Sequence, residues 1–242
     1  MKLYRKLHRY FGLIIGVQFL FWTLGGIFFA WSDIDQIHGD FNRKPEKMFS
    51  DMIGWQSPDY VYAEISKINP VDSILSFKTI NILGKPFYQV RYFSNKQART
   101  ALADVRTGKI RPLLDKEESV AVAVNAFTPN SQINQVKLIT EKTITKQHEY
   151  RGQPLPAYAV TFMHKSGTTV YVSAEYGQII KFRNANWRIF DFLWMMHTMD
   201  YSGRDNFGNI LLRVFSLLGL ITLMTGFVLF YKTRFHIRKG KN

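Results

Sequence analysis

Two long apolar runs lie near the ends of the sequence and enclose a stretch whose apolar positions alternate. The first run, Phe11–Trp31, holds 21 residues without a formal charge. The second, Val214–Tyr231, holds 18, or 22 when counted from Ile210 with Arg213 near its outer edge. About 20 residues in a helix cross the hydrocarbon core of a bilayer. Both runs therefore predict membrane helices, with Trp22 and Trp31 in or at the edge of the first and Tyr231 closing the second. A cleaved signal peptide would have an apolar core of about 7–15 residues and an A-x-A-like site. Here the run is longer and continues into "FFAWSDID".

The stretch between the runs repeats itself. "GKPFYQVRYFSNKQARTALADVRTGKI" from Gly84 parallels "GQPLPAYAVTFMHKSGTTVYVSAEYGQII" from Gly152. Tyr88, Val90 and Tyr92 alternate in the first copy, and Tyr158, Val160 and Phe162 in the second. A turn, a second strand and a glycine turn (Gly108, Gly177) follow in each. Period-two alternation between turn residues predicts hairpins. Ahead of them, "SPDYVYAEISKI" (57–68) predicts a helix with Ser57 as cap and Pro58 at its first position. "LDKEESVAVAVNAF" (114–127) predicts another, with Asp115 and Glu118 at capping-box spacing. "DSILSFKTI" and "INQVKLITEKTI" add a strand after each helix. Helix, strand and hairpin, twice over, give an α+β domain of antiparallel sheets.

Charge decides where that domain lies. The chain has 242 residues and a net charge of +14. Lys2, Arg5, Lys6 and Arg9 precede the first run; Lys232, Arg234, Arg238, Lys239 and Lys241 follow the second, and neither tail has an acidic residue. With Arg213 these account for ten of the positive charges, and the remainder carries 22 Lys and Arg against 18 Asp and Glu. Basic tails beside apolar runs fit the positive-inside rule better than a nucleic-acid partner. Both tails are expected in the cytoplasm and the domain across the membrane, which suggests a bacterial inner-membrane protein with a periplasmic domain.

Several chemistries lack their residues. The chain has no cysteine, which excludes disulfides, thiolate metal sites, iron–sulfur clusters and covalent haem attachment. There is no G-x-G-x-x-G, P-loop, G-x-S-x-G or H-E-x-x-H motif, so neither hydrolysis nor hydride transfer from a nicotinamide has support.

Each unit, a helix and strand followed by "Y-x-V…D/V-x-x-x-G-x-I", resembles a PepSY module, here in tandem. The flanking "LHRYFGLIIG", "DFLWMMHTMDYSGRDNFGN" and "LLGLITLMTGFVLFYK" resemble the PepSY-associated transmembrane helices. The resemblance spans almost the whole chain, although the larger relatives have about four membrane helices rather than two. It implies a relation to inner-membrane ferric-siderophore reductases, which bind haem b through paired histidines. A reductase of this kind would accept electrons from quinol or a separate donor and pass them outward. The alternative the resemblance allows is a non-enzymatic PepSY subunit that anchors or regulates a periplasmic or membrane partner.

A haem needs axial imidazoles and room for a flat ring. His8, Gly12 and Gly16 recur every four residues, hence on one helix face. That stripe reads as a ligand above a groove, or as a G-x-x-x-G helix-packing motif beside a solvated histidine. His197 lies in the second family motif, on a segment suited to the outer membrane surface or folded back over the bundle; as a plain residue it would bond a carbonyl. About 30 Å of hydrocarbon would separate it from His8. Candidate pairs are His197 with His38 outside and His8 with His236 inside, or His8 with its own copy in a dimer. A homodimer or another inner-membrane protein is expected, because two helices alone do not enclose a macrocycle. Asp33, Asp35, His38 and Asp40 read as metal ligands or as a capped, solvated helix end. His148 and His164 read as surface residues, and Met195, Met196 and Met199 as apolar filler. The expected organisation is a basic tail (1–10), a membrane helix (11–31), a connector (32–56), two PepSY-like units (57–112, 113–183), an interfacial amphipathic segment (184–209), a second membrane helix (210–231) and a basic tail (232–242).

Overall fold

A computed structural model describes residues 2–45, 49 and 52–239, with side chains described over 3–45, 49 and 52–233. The chain forms two compact units: Ile34–Asn186, and a helical unit made of Met1–Asp33 and Trp187–Asn242.

The helical unit contains α1 (Lys2–Trp31), most of α5 (Ala185–Thr198) and α6 (Ile210–Lys239). Helices α1 and α6 are each long and apolar enough to cross a membrane. Both continue through the basic segments, because Lys and Arg are good helix formers and no proline interrupts them. They run antiparallel: His8 meets Thr222 and Thr225, while Gly12 faces Thr222 and Ile15 faces Gly219.

The Ile34–Asn186 unit is α+β, with two four-stranded antiparallel sheets, each in sequence order. After the short α2 (Ile34–His38), α3 (Pro58–Ile68) leads into β1 (Ser73–Ile82), β2 (Lys85–Ser94), β3 (Gln97–Asp104) and β4 (Ile110–Arg111). The second helix, α4 (Lys116–Ala126), leads into β5 (Ile133–Ile139), β6 (Ala157–Phe162), β7 (Thr169–Ser173) and β8 (Gln178–Arg183). The predicted caps are present: Ser57 accepts from the Tyr60 N–H, and Asp115 and Glu118 form a reciprocal capping box.

Val61 and Ile65 of α3 cover one face of the first sheet against Tyr88, Val90, Tyr92 and Ala103. Ala123 of α4 covers the second sheet within a larger core that also takes in Ile80, Ile82 and Leu102 of the first. The joint between the sheets is the β7–β8 turn. Buried Gln89 donates to the Tyr176 carbonyl and to Gln178, and Gly177 lies against Ile80, Ile82 and Leu102.

The two copies differ where the repeat gave no warning. Each sheet gains a fourth strand beyond its glycine turn. Gly84 sits in the tight β1–β2 turn, whereas Gly152 lies in a long connection between Ile139 and Ala157. That connection folds back over the second sheet, burying Tyr150 against Tyr171 at 5.3 Å between rings. His148 and His164, read as surface residues, are half-buried. Nδ1 of His148 accepts from the Tyr150 N–H, and Nδ1 of His164 bonds Ser166. Burial holds the His148 imidazole below its ordinary pKa.

Candidate functional site

The helical unit carries the constellation that the sequence singled out. His8, Gly12, Gly16, Phe19 and Trp22 fall on one side of α1 at helical spacing. Facing them on α6 are Ser216, Gly219, Leu220, Leu223, Gly226, Phe227 and Phe230. Together they line an apolar groove of about 1010 Å³, at the upper end of the range for small-molecule sites. Glycines from both helices make room. A Cβ at Gly226 would stand 3.1 Å from the His8 ring, and those at Gly12 and Gly219 would reach the opposite helix at 4.0 and 3.9 Å. A Cβ at Gly16 would meet nothing within 4 Å.

The half-buried His8 ring is held by α6. Its Nδ1 lies 3.2 Å from the Thr222 carbonyl and 3.3 Å from the Thr225 hydroxyl. A carbonyl only accepts, so the first contact requires the proton on Nδ1. The Thr225 hydroxyl donates to that same carbonyl at 2.9 Å, leaving its oxygen to accept from Nδ1. In the neutral ring Nε2 then keeps its lone pair. An imidazole tied through Nδ1 to a carbonyl, with Nε2 free to ligate, is the usual arrangement of a metal-bound histidine.

His197 sits at the C-terminal end of α5, where the last carbonyls lack helical partners. Side chains of α1 supply them. Gln18, only 5 % exposed, donates to the Met196 carbonyl at 2.7 Å, and the Trp22 indole donates to the His197 carbonyl at 2.9 Å. The exposed His197 ring stacks on Trp194 at 6.2 Å, and Phe190 and Trp194 pack on Phe29. The loop from α5 to α6 is organised by Asp200, which accepts from the Gly203 and Asn206 N–H groups and from Ser202. These bonds, that from Asn206 foremost, lower its carboxyl pKa to about 2. Asn209 donates to the Thr198 carbonyl and accepts from the Leu212 N–H at the start of α6. Arg204 pairs with Asp191 at 2.8 Å.

Thus His8, Gly12 and Gly16 share one groove, whereas His197 lines a different part of the unit. From His8 to Trp22 is 14 residues, about 21 Å of helix. His38 belongs to the Ile34–Asn186 unit, where its Nδ1 lies 4.0 Å from an Asp40 oxygen. The side chain of His236 lies outside the described residues; its position is ten residues beyond Gly226, about 15 Å farther along α6. Among the described residues no three His, Asp or Glu side chains gather as a metal site, Asp33, Asp35, His38 and Asp40 included. The short α2 and the 3-10 turn at Asp40–Asn42 set them along a winding backbone. The α6 half of the groove, Thr222, Thr225, Gly219 and Gly226, escaped the sequence reading. Its signal was the seven-residue step between the two glycines, which is one helix face.

Comparison with protein-family models, curated proteins and solved structures finds no match.

Proposed function

We propose that this chain is an inner-membrane, haem b-binding component of ferric-siderophore iron reduction, with a tandem PepSY-like domain in the periplasm. The observation that carries the reading is His8: an imidazole tied through Nδ1 to α6, bordering a large apolar groove between two helices of membrane-spanning length. The residues fit the group. His8 would hold it through Nε2, the glycines would leave room for it, and Phe19, Phe227 and Phe230 would shield it from water. Haem, when bound, supplies one-electron transfer; the donor would be quinol or a separate protein. Detergent-extracted protein from haem-replete cells should show a Soret band, with split α and β bands on dithionite reduction. A colourless preparation would contradict the reading.

A second reading is a PepSY subunit that anchors or regulates a partner. It is favoured by β5, an edge strand with Ile133 and Leu138 exposed, since open strand edges accept a partner's strand. On that reading His8→Ala and His197→Ala leave function intact, and proline substitutions along β5 abolish it.

A further inference from the structure

The groove offers one imidazole and one open side. None of its other lining residues is a histidine or methionine. His197 lies beside Trp22, about 21 Å along α1 from His8, and the backbone of residue 236 is about 15 Å beyond Gly226 on α6. A b-type haem whose iron has two protein ligands therefore needs a side chain from outside this α1–α6 pair.

The shape of the groove says where it comes from. Gly12, Gly219 and Gly226 are used within the chain, each with its missing Cβ facing the other helix. Gly16 is different. It lines the groove, yet a side chain there would meet nothing within 4 Å. It leaves the α1 backbone open to close approach from outside. Leu220 and Phe227 also line the groove and stay more than half exposed. The α5 contacts through Gln18 and Phe29 fall beside the groove, and that through Trp22 is made at the end of the groove far from His8, so the stretch from His8 to Gly16 keeps its open side.

We propose that a second copy of this chain covers the groove. The two α1–α6 pairs then form a four-helix bundle about a two-fold axis, with His8 of both copies on one enclosed cavity. A two-fold contact uses the same patch twice, so one groove with one histidine becomes one cavity with two. Four helices enclose a cofactor that two cannot. The inference rests on the haem reading for its need of a second imidazole, but its geometry is tested separately.

The absence of cysteine makes single-site labelling clean. Gly16→Cys and Leu220→Cys place a nitroxide spin label at the groove, and Val17→Cys places one on the far side of α1. Distances between copies are measured by pulsed electron paramagnetic resonance on the full chain in lipid nanodiscs. Labels at 16 and 220 should give sharp distances, shorter by roughly 5–10 Å than the label at 17. If Gly16→Cys fails to fold, Leu220→Cys against Val17→Cys decides alone. Uncoupled labels, or a shorter distance at 17, overturn the proposal, leaving lipid or a different protein over the groove. A colourless but groove-to-groove dimer would contradict the haem reading while upholding the contact.

Discussion

The indole N–H of Trp22 donates to the backbone carbonyl of His197 across 2.9 Å, with the two rings 5.9 Å apart. One residue of α1 thus closes the end of α5 and fixes the position of a candidate ligand. Trp22→Phe keeps a ring but removes the donor, leaving a helix-end carbonyl without its partner. That costs about 1 kcal/mol, which lowers the melting temperature in detergent by about 2–4 °C for a chain of this size. Gln18→Leu acts in the same direction through the Met196 carbonyl.

Asp200 gives the α5–α6 loop its acid sensitivity. Its carboxyl titrates near 2 when folded, against an ordinary 3.8. A lowered carboxyl pKa contributes stability that is complete above the unfolded value and vanishes as pH falls through the folded one. The protection factors of the Gly203 and Asn206 amides, taken against intrinsic exchange at each pH, should therefore be high above pH 4 and fall between about pH 4 and 2. Asp200→Asn should lower the protection of these amides at neutral pH and lose that pH step. An unchanged step would contradict this role.

Gly177 holds the two sheets together. It has φ +67°, and a Cβ there would lie 2.9 Å from Ile82, 3.0 Å from Leu102 and 3.1 Å from Ile80. Gly177→Ala combines left-handed backbone strain with crowding at the joint, and should cost about 2–4 kcal/mol. Gly84→Ala is the control. It has φ +85° but nothing within 4 Å of the added carbon, so only the backbone penalty of about 1–2 kcal/mol remains. Thermal or urea unfolding should rank Gly177→Ala as the less stable of the two.

The sequence was most legible where one chemical pattern fixes one local structure. Ser57 and Asp115 marked their helices because a side-chain oxygen satisfies the first free N–H groups. The alternation around Tyr88 and Tyr158 marked strands, although both faces of β2 and β6 are covered. The fourth strands were missed because Ile110–Arg111 is two residues long and Gln178–Arg183 runs from half-buried to buried without alternating. The long β5–β6 connection was missed because Gly152-Gln-Pro mimics Gly84-Lys-Pro, although one triplet lies in a sheet-covering loop and the other at a tight turn. At the site, the α1 stripe was visible as a four-residue spacing within one helix. Its partner on α6 was not, because which face of α6 meets α1 depends on packing between segments some 200 residues apart.

The most direct measurement is the absorption spectrum of the full chain beside that of His8→Ala, both extracted from haem-replete membranes at equal protein. The account predicts a Soret band that sharpens with split α and β bands on dithionite reduction, and at least a tenfold lower haem content in His8→Ala with the chain still folded. A colourless wild-type protein, or a spectrum that His8→Ala leaves unchanged, would contradict it.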